Sequence, residues 1–162
     1  MKSTLLLTLS LMAWISTASA DQTINYPEDK PIFSISFPDG WKVETGESVS
    51  ASSADDLVNM ELIALDAEEA ATAMADARKS LEEELKGIKW LADPEKGEIN
   101  GIQVTFLNGN VTLEGVKMAV NCAVFAPKKE ETFFMLFNII PLEALKDHGK
   151  DLDKILNSVK GK

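Results

Sequence analysis

The sequence predicts an α+β protein, a three-layer α-β-α sandwich with a largely antiparallel central sheet. Three observations lead there. The strand-like segments follow one another through short turns, which joins neighbours antiparallel. The late strands are apolar on both parities, so both faces of the sheet are covered. Two amphipathic helices are available, one for each face. A β-sandwich is the runner-up, but it leaves those helices without a role.

Taken in order, residues 21–31 are polar with two prolines and read as a loose N-terminal arm. Phe33, Ile35 and Phe37 alternate with Ser34 and Ser36, the pattern of a strand with one buried face. Pro38-Asp39-Gly40 is turn chemistry, after which Trp41 and Val43 resume a short strand. Residues 46–56 are a weak strand or a loop, and residues 57–65 read as an interior strand. Asp66 with Glu69 fits a capping box. Met74, Ala77, Leu81, Leu85 and Ile88 then recur at helical spacing, which predicts a helix over 67–86 with Gly87 near its C-cap.

A short strand at 88–91 is broken by Asp93-Pro94. Asn100-Gly101 suits a type I′ hairpin turn, and Ile102, Val104 and Phe106 alternate after it. Asn108-Gly109-Asn110 is either a bulge or a second turn, and Glu114-Gly115 turns the chain again. Residues 116–126 and 132–140 are long strands joined by a charged loop. Pro141 suits the first turn of a last helix. Its apolar stripe is Leu142, Leu145, Leu152, Ile155, Leu156 and Val159, with Gly149 placed to divide it.

The N-terminus carries a targeting pattern. Lys2 precedes an apolar run over 5–15, and Ala18 and Ala20 form an A-x-A site ahead of Asp21. The run is too short for the roughly 20 apolar residues of a membrane span. The expected organisation is a signal peptide over 1–20, cleaved near Ala20-Asp21, the arm over 21–31, and one domain over 32–162. The expected location is periplasmic or secreted.

The chain has 162 residues, 16 Lys+Arg against 26 Asp+Glu, a formal net charge of -10 and 45% hydrophobic residues. This is the composition of a globular protein, and its acidity argues against nucleic acid. A single cysteine cannot close an intramolecular disulfide.

The run Phe33-Ser34-Ile35-Ser36-Phe37-Pro38-Asp39-Gly40-Trp41, the central helix, the long hairpin strands and the ending Ile155-Leu156-Asn157-Ser158-Val159 resemble the PsbP/Mog1-like superfamily. That superfamily includes an extrinsic photosystem II subunit, a Ran-binding nuclear-import factor and DcrB-like bacterial envelope proteins. The resemblance implies the fold and a tendency to bind proteins rather than a shared reaction. The matching positions are turn and core positions, so no functional residue is carried over. The chain departs from DcrB-like proteins in lacking a lipid-attachment cysteine.

His148 reads as a solvated helix histidine, with no G-x-S-x-G elbow to serve. Cys122, between Val120 and Val124, reads as a small buried hydrophobe, the alternatives being intermolecular pairing or a redox role. One His and one Cys do not make a zinc site. Asp55-Asp56 and Asp151-Leu152-Asp153 read as solvated acidic faces before weak calcium sites. Glu68, Glu69 and Glu82-Glu83-Glu84 lie on the outer side of the first helix. No phosphate-cradling glycine motif is present, and no cofactor is expected. Asn110-Val111-Thr112 is a glycosylation sequon. Trp41 and Trp90 either pack in the core or line a groove.

The expected function is an exported, non-enzymatic protein-binding or accessory module of the cell envelope. The alternative is a small-ligand binder or an enzyme of unrecognised type. The candidate partner-binding residues are Lys128 and Lys129 in the late loop, and Lys146, Lys150 and Lys154, which recur on one face of the last helix. Together they predict a basic strip on an acidic surface, aimed at an anionic partner.

Overall fold

A computed structural model describes residues 21–128 and 132–162. The expected signal peptide and Lys129 lie outside the described residues.

The large sheet runs in the order β3-β4-β5-β10-β9-β8-β6, with β7 also paired to β8. Its strands are β3 (Lys42–Thr45), β4 (Val49–Ser52), β5 (Asn59–Leu65), β6 (Lys89–Trp90), β7 (Glu95–Ile99), β8 (Ile102–Leu113), β9 (Val116–Phe125) and β10 (Phe133–Pro141). Every pairing is antiparallel. A second sheet, β1-β2-β11, consists of Gln22–Tyr26, Phe33–Phe37 and Lys160–Gly161. Helix α1 (Ala70–Glu84) covers one face of the large sheet. Helix α2 (Leu145–Asn157) and the small sheet share the other face. The protein is therefore the expected α+β sandwich with one helix per face. The runner-up is visible within it, because two sheets do face one another beside α2.

Strand alternation builds both cores. On β9, Val120, Cys122 and Val124 point toward α1, and Ala119, Ala123 and Phe125 toward the small sheet. The small sheet meets the large one through aromatic edges: the Phe33 ring lies 5.6 Å from Phe125 and 5.0 Å from Phe134. Helix α1 buries Ala73, Met74, Ala77 and Leu81, one stripe at helical spacing. The hairpin turns are as read: Asn100 and Gly101, then Glu114 and Gly115, all have positive φ, as type I′ turns require.

Five local readings are corrected. The arm is not loose: Gln22–Tyr26 forms β1 against β2, because Ile24 and Tyr26 turn inward and the Tyr26 hydroxyl donates to the Glu47 carbonyl at 2.6 Å. Helix α1 starts at Ala70 rather than 67, and Glu69 precedes it in extended conformation with no side-chain cap. Residues 66–69 are used in crossing from the end of β5 to the sheet face. Asn108-Gly109-Asn110 is neither bulge nor turn, since β8 runs in unbroken register with β9 from Val104↔Phe125 to Leu113↔Val116. Gly109 is there because the Trp90 ring lies on it; an added Cβ would come within 2.9 Å of that ring. Pro141 ends β10 and precedes a 3₁₀ turn, Leu142–Ala144, so the division of the last helical segment falls there. Gly149 interrupts nothing in α2.

Candidate functional site

The sequence of β8, β9 and β10 sets a row of polar groups into the face that α2 covers. The two-residue turn at Glu114-Gly115 fixes the hairpin register and places Asn108 opposite Asn121. The β9–β10 register then places Asn121 opposite Asn138. Three asparagines thus stand side by side across three adjacent strands. Asn121 Nδ2 donates to Asn138 Oδ1 at 2.9 Å. Asn138 is only 8% exposed.

This row floors a cleft of about 260 Å³ between the sheet and α2. Phe106, Leu136 and Met60 line it from the sheet, and Leu145, Gly149, Leu152 and Leu156 from the helix, with exposed Asp153 at the rim. The cleft exists because α2 leans on β2 of the small sheet rather than on the middle of the large one. Small Ala119 and Ala123 flank Asn121 along β9.

Both ends of α2 are fixed. Its N-terminal end follows directly from β10 through the 3₁₀ turn. At its C-terminal end, the Ser158 hydroxyl accepts from the Ser36 amide at 2.7 Å and donates to the Ile155 carbonyl at 2.6 Å. Asn100 Nδ2, from the β7–β8 turn, donates to the Asn157 and Val159 carbonyls at 2.8 Å each. These bonds satisfy acceptors that a helix terminus otherwise leaves open.

Four of the five anticipated lysines lie among the described residues. Lys146, Lys150 and Lys154 are exposed on α2, and Lys154 Nζ pairs with Asp21 at 2.9 Å. Lys128 instead lines a different cleft with Lys30, Asp66 and Glu68. His148 is not a solvated histidine: its side chain is 15% exposed, and Nε2 lies 2.9 Å from Asp55 Oδ2. Asp55 also accepts from the Ser53 hydroxyl at 2.6 Å, the main reason its carboxyl is held below the usual range. Asp56 pairs with Lys42 at 2.8 Å. Among the described residues, no group of three or more His, Cys, Asp or Glu side chains is placed to hold a metal ion.

Cys122 is a free thiol, 2% exposed, and burial pushes its pKa up to about 12. That environment suppresses the thiolate that reactivity requires. Trp41 and Trp90 pack rather than line the cleft. Trp41 is buried beside Phe37. Trp90 covers Gly109 and donates from Nε1 to Glu82 at 2.7 Å, with the Arg78 guanidinium 5.6 Å from its ring centroid. Asn110 lies within β8, opposite Lys89 and Ala119.

The asparagine row was not singled out from the sequence, although a signal existed. Each of two apolar strands is interrupted once by Asn, and the two-residue turn alone sets Asn121 against Asn108.

No protein-family model and no curated protein matches the chain. Solved structures do. It is similar to LpqN of Mycobacterium tuberculosis, described as involved in cell envelope biogenesis, with a TM-score of 0.62 and 15% identity over 86% of this chain and 90% of that one. It is similar to the cyanobacterial PsbP (CyanoP) of Synechocystis, at 0.63 and 10% over 93% and 97%. It is also similar to the Ran-binding protein Mog1p of Saccharomyces cerevisiae, at 0.59 and 7% over 89% and 96%. None of the three is named as an enzyme. Among the described residues no helix is long and apolar enough to cross a membrane. The element order and the two covered faces, together with these likenesses, give the protein the PsbP/Mog1-like fold.

Proposed function

We propose that the protein is an exported accessory module of the cell envelope that acts by binding an acidic protein partner through the outer ridge of α2, without a reaction of its own. The observation that carries this reading is Lys146, Lys150 and Lys154, exposed along one helix of a chain whose formal net charge is -10. On an acidic body that repels anions, a local cationic ridge is where an anionic surface is attracted and oriented. Structures of the same fold add support: one is named for envelope biogenesis and one for Ran binding. Export rests on the N-terminal pattern of Lys2, the apolar run and Ala18-Ser19-Ala20.

The test has two parts. Expressed with its leader in a secreting host, the protein yields a mature form beginning at Asp21; an exported protein retaining Met1 by intact mass rejects the export reading. Partners isolated from the envelope on the mature protein then associate more slowly with Lys146→Glu/Lys150→Glu/Lys154→Glu and at raised salt. Unchanged association by the folded triple variant rejects the ridge.

A further inference from the structure

The cleft under α2 combines three observations that packing alone does not explain. The first is an incompletely paired amide in a nearly buried position. An asparagine side chain offers two N–H donors and an acceptor oxygen. The Asn121–Asn138 bond engages one donor of Asn121 and the oxygen of Asn138. Among the described residues, the Nδ2 donors of Asn138 and the oxygen of Asn121 have no hydrogen-bond partner. Among the described residues no fully buried side-chain nitrogen or oxygen lacks a partner, so these free positions open onto the cleft, where a ligand can reach them. The same strands show the cheaper alternative on their other face, where Val120, Val124, Met135 and Phe137 occupy the equivalent positions.

The second observation is Gly149. It lies in the interior of α2, where glycine is the least favourable residue after proline. Its φ is not positive, and a Cβ built there meets nothing within 4 Å. No backbone conformation and no close contact requires glycine. What the missing side chain does is leave space, because Gly149 stands in the stripe of Leu145, Leu152 and Leu156 that lines the cleft. The third observation is the division of the cleft into an amide floor and aliphatic walls, with Asp153 at the rim.

We propose that this cleft is a binding site for a small neutral amide bearing an aliphatic group, held by the juxtaposition of Asn121, Asn138 and Gly149. An amide supplies what the floor lacks: its carbonyl accepts from Asn138 Nδ2, and its N–H donates to Asn121 Oδ1. The aliphatic group lies in the space beside Gly149, between the α2 leucines and Phe106 and Leu136. Asp153 and the acidic surface disfavour an anion. At about 260 Å³ the cleft falls below the roughly 300 Å³ at which drug-sized sites begin, so it takes a molecule the size of one capped amino acid. This site does not depend on the lysine ridge, and binding here is insensitive to salt.

The experiment titrates N-acetyl-leucine N-methylamide into ¹⁵N-labelled protein and follows the Asn121 and Asn138 side-chain NH₂ resonances. The expected result is a saturable shift with a Kd of about 1 mM or tighter. The all-ester analogue methyl 2-acetoxy-4-methylpentanoate, which carries no N–H, binds at least tenfold more weakly. Gly149→Leu fills the space from the helix side without touching the asparagines; it is expected to melt no lower than the parent and to lose binding at least tenfold. Asn138→Leu is expected to lose binding likewise. The proposal is overturned if the shifts do not saturate, if ester and amide bind equally, or if folded Gly149→Leu keeps its affinity. Affinity that rises steadily as alanines are added to both ends of the probe overturns the assignment to a small molecule.

Discussion

The two faces of the large sheet are built from alternate residues of the same strands, yet they differ in kind. Toward α1, β9 presents Val120, Cys122 and Val124 and β10 presents Met135 and Phe137. Ala73 and Ala77 let that helix lie close. Toward α2 the same strands present Ala119, Asn121 and Ala123, then Leu136 and Asn138. Small and polar residues on the strands, and a glycine on the helix, leave α2 standing off the sheet. The contrast teaches that one face is organised for stability and the other keeps internal space at a cost in stability.

The largest expected effect tests the dry face. Leu81→Ala empties a fully buried position between α1 and the sheet, and should destabilise the protein by about 3 kcal/mol in chemical denaturation. A loss under about 1 kcal/mol would mean that α1 is not the principal cover of this face. The next effect has the opposite sign. Asn121→Leu/Asn138→Leu removes both amides together and fills the cleft, so stability should be unchanged or raised by up to about 1 kcal/mol. A fall of 2 kcal/mol or more would make the asparagine pair a structural ladder and erase the contrast.

The smallest effect sharpens the comparison through Cys122. The folded thiol titrates near 12 and the unfolded one near 8.5, so above about pH 9 only the unfolded chain loses this proton. Stability from this group is full below that pH and declines as pH rises toward 12, by at most about 1.4 kcal/mol per pH unit. Urea unfolding of the parent and of Cys122→Ala across pH 8 to 11 should therefore diverge in slope, with the parent falling faster. A thiol reagent at pH 8 should label the native protein only after denaturant is added.

The sequence made the apolar face of the fold legible and the polar floor illegible, for a physical reason. Hydrophobic periodicity reports which residues are inside, so it places α1, β9 and β10 within a few residues. It does not report what an interior asparagine faces, and the cleft depends on how far α2 stands from the sheet. Asn100 was read correctly as a turn residue. Its second role, bonding to α2 across the molecule, follows only from tertiary placement. The same holds for His148, whose neighbour Asp55 is 93 residues away. Helical spacing relates Lys146 to Lys154 but says nothing of where the β9–β10 loop carries Lys128.

The fixings at the end of α2 also bear on the order in which the molecule assembles. They join groups 57, 59 and 122 positions apart in the chain. Closing loops of that length opposes early formation, whereas the β8–β9 hairpin closes through two residues. Docking of α2 is thereby expected as a late step, with the cleft the last part of the interior to acquire its shape. Asn100→Gly keeps the turn's positive φ and removes only the side-chain bonds; it should speed unfolding severalfold and leave the folding rate nearly unchanged. A slowed folding limb in stopped-flow kinetics would instead put the α2 anchorage inside the nucleus. Late docking means that fluctuations of the native state open first at α2, while the hairpins behind it stay paired.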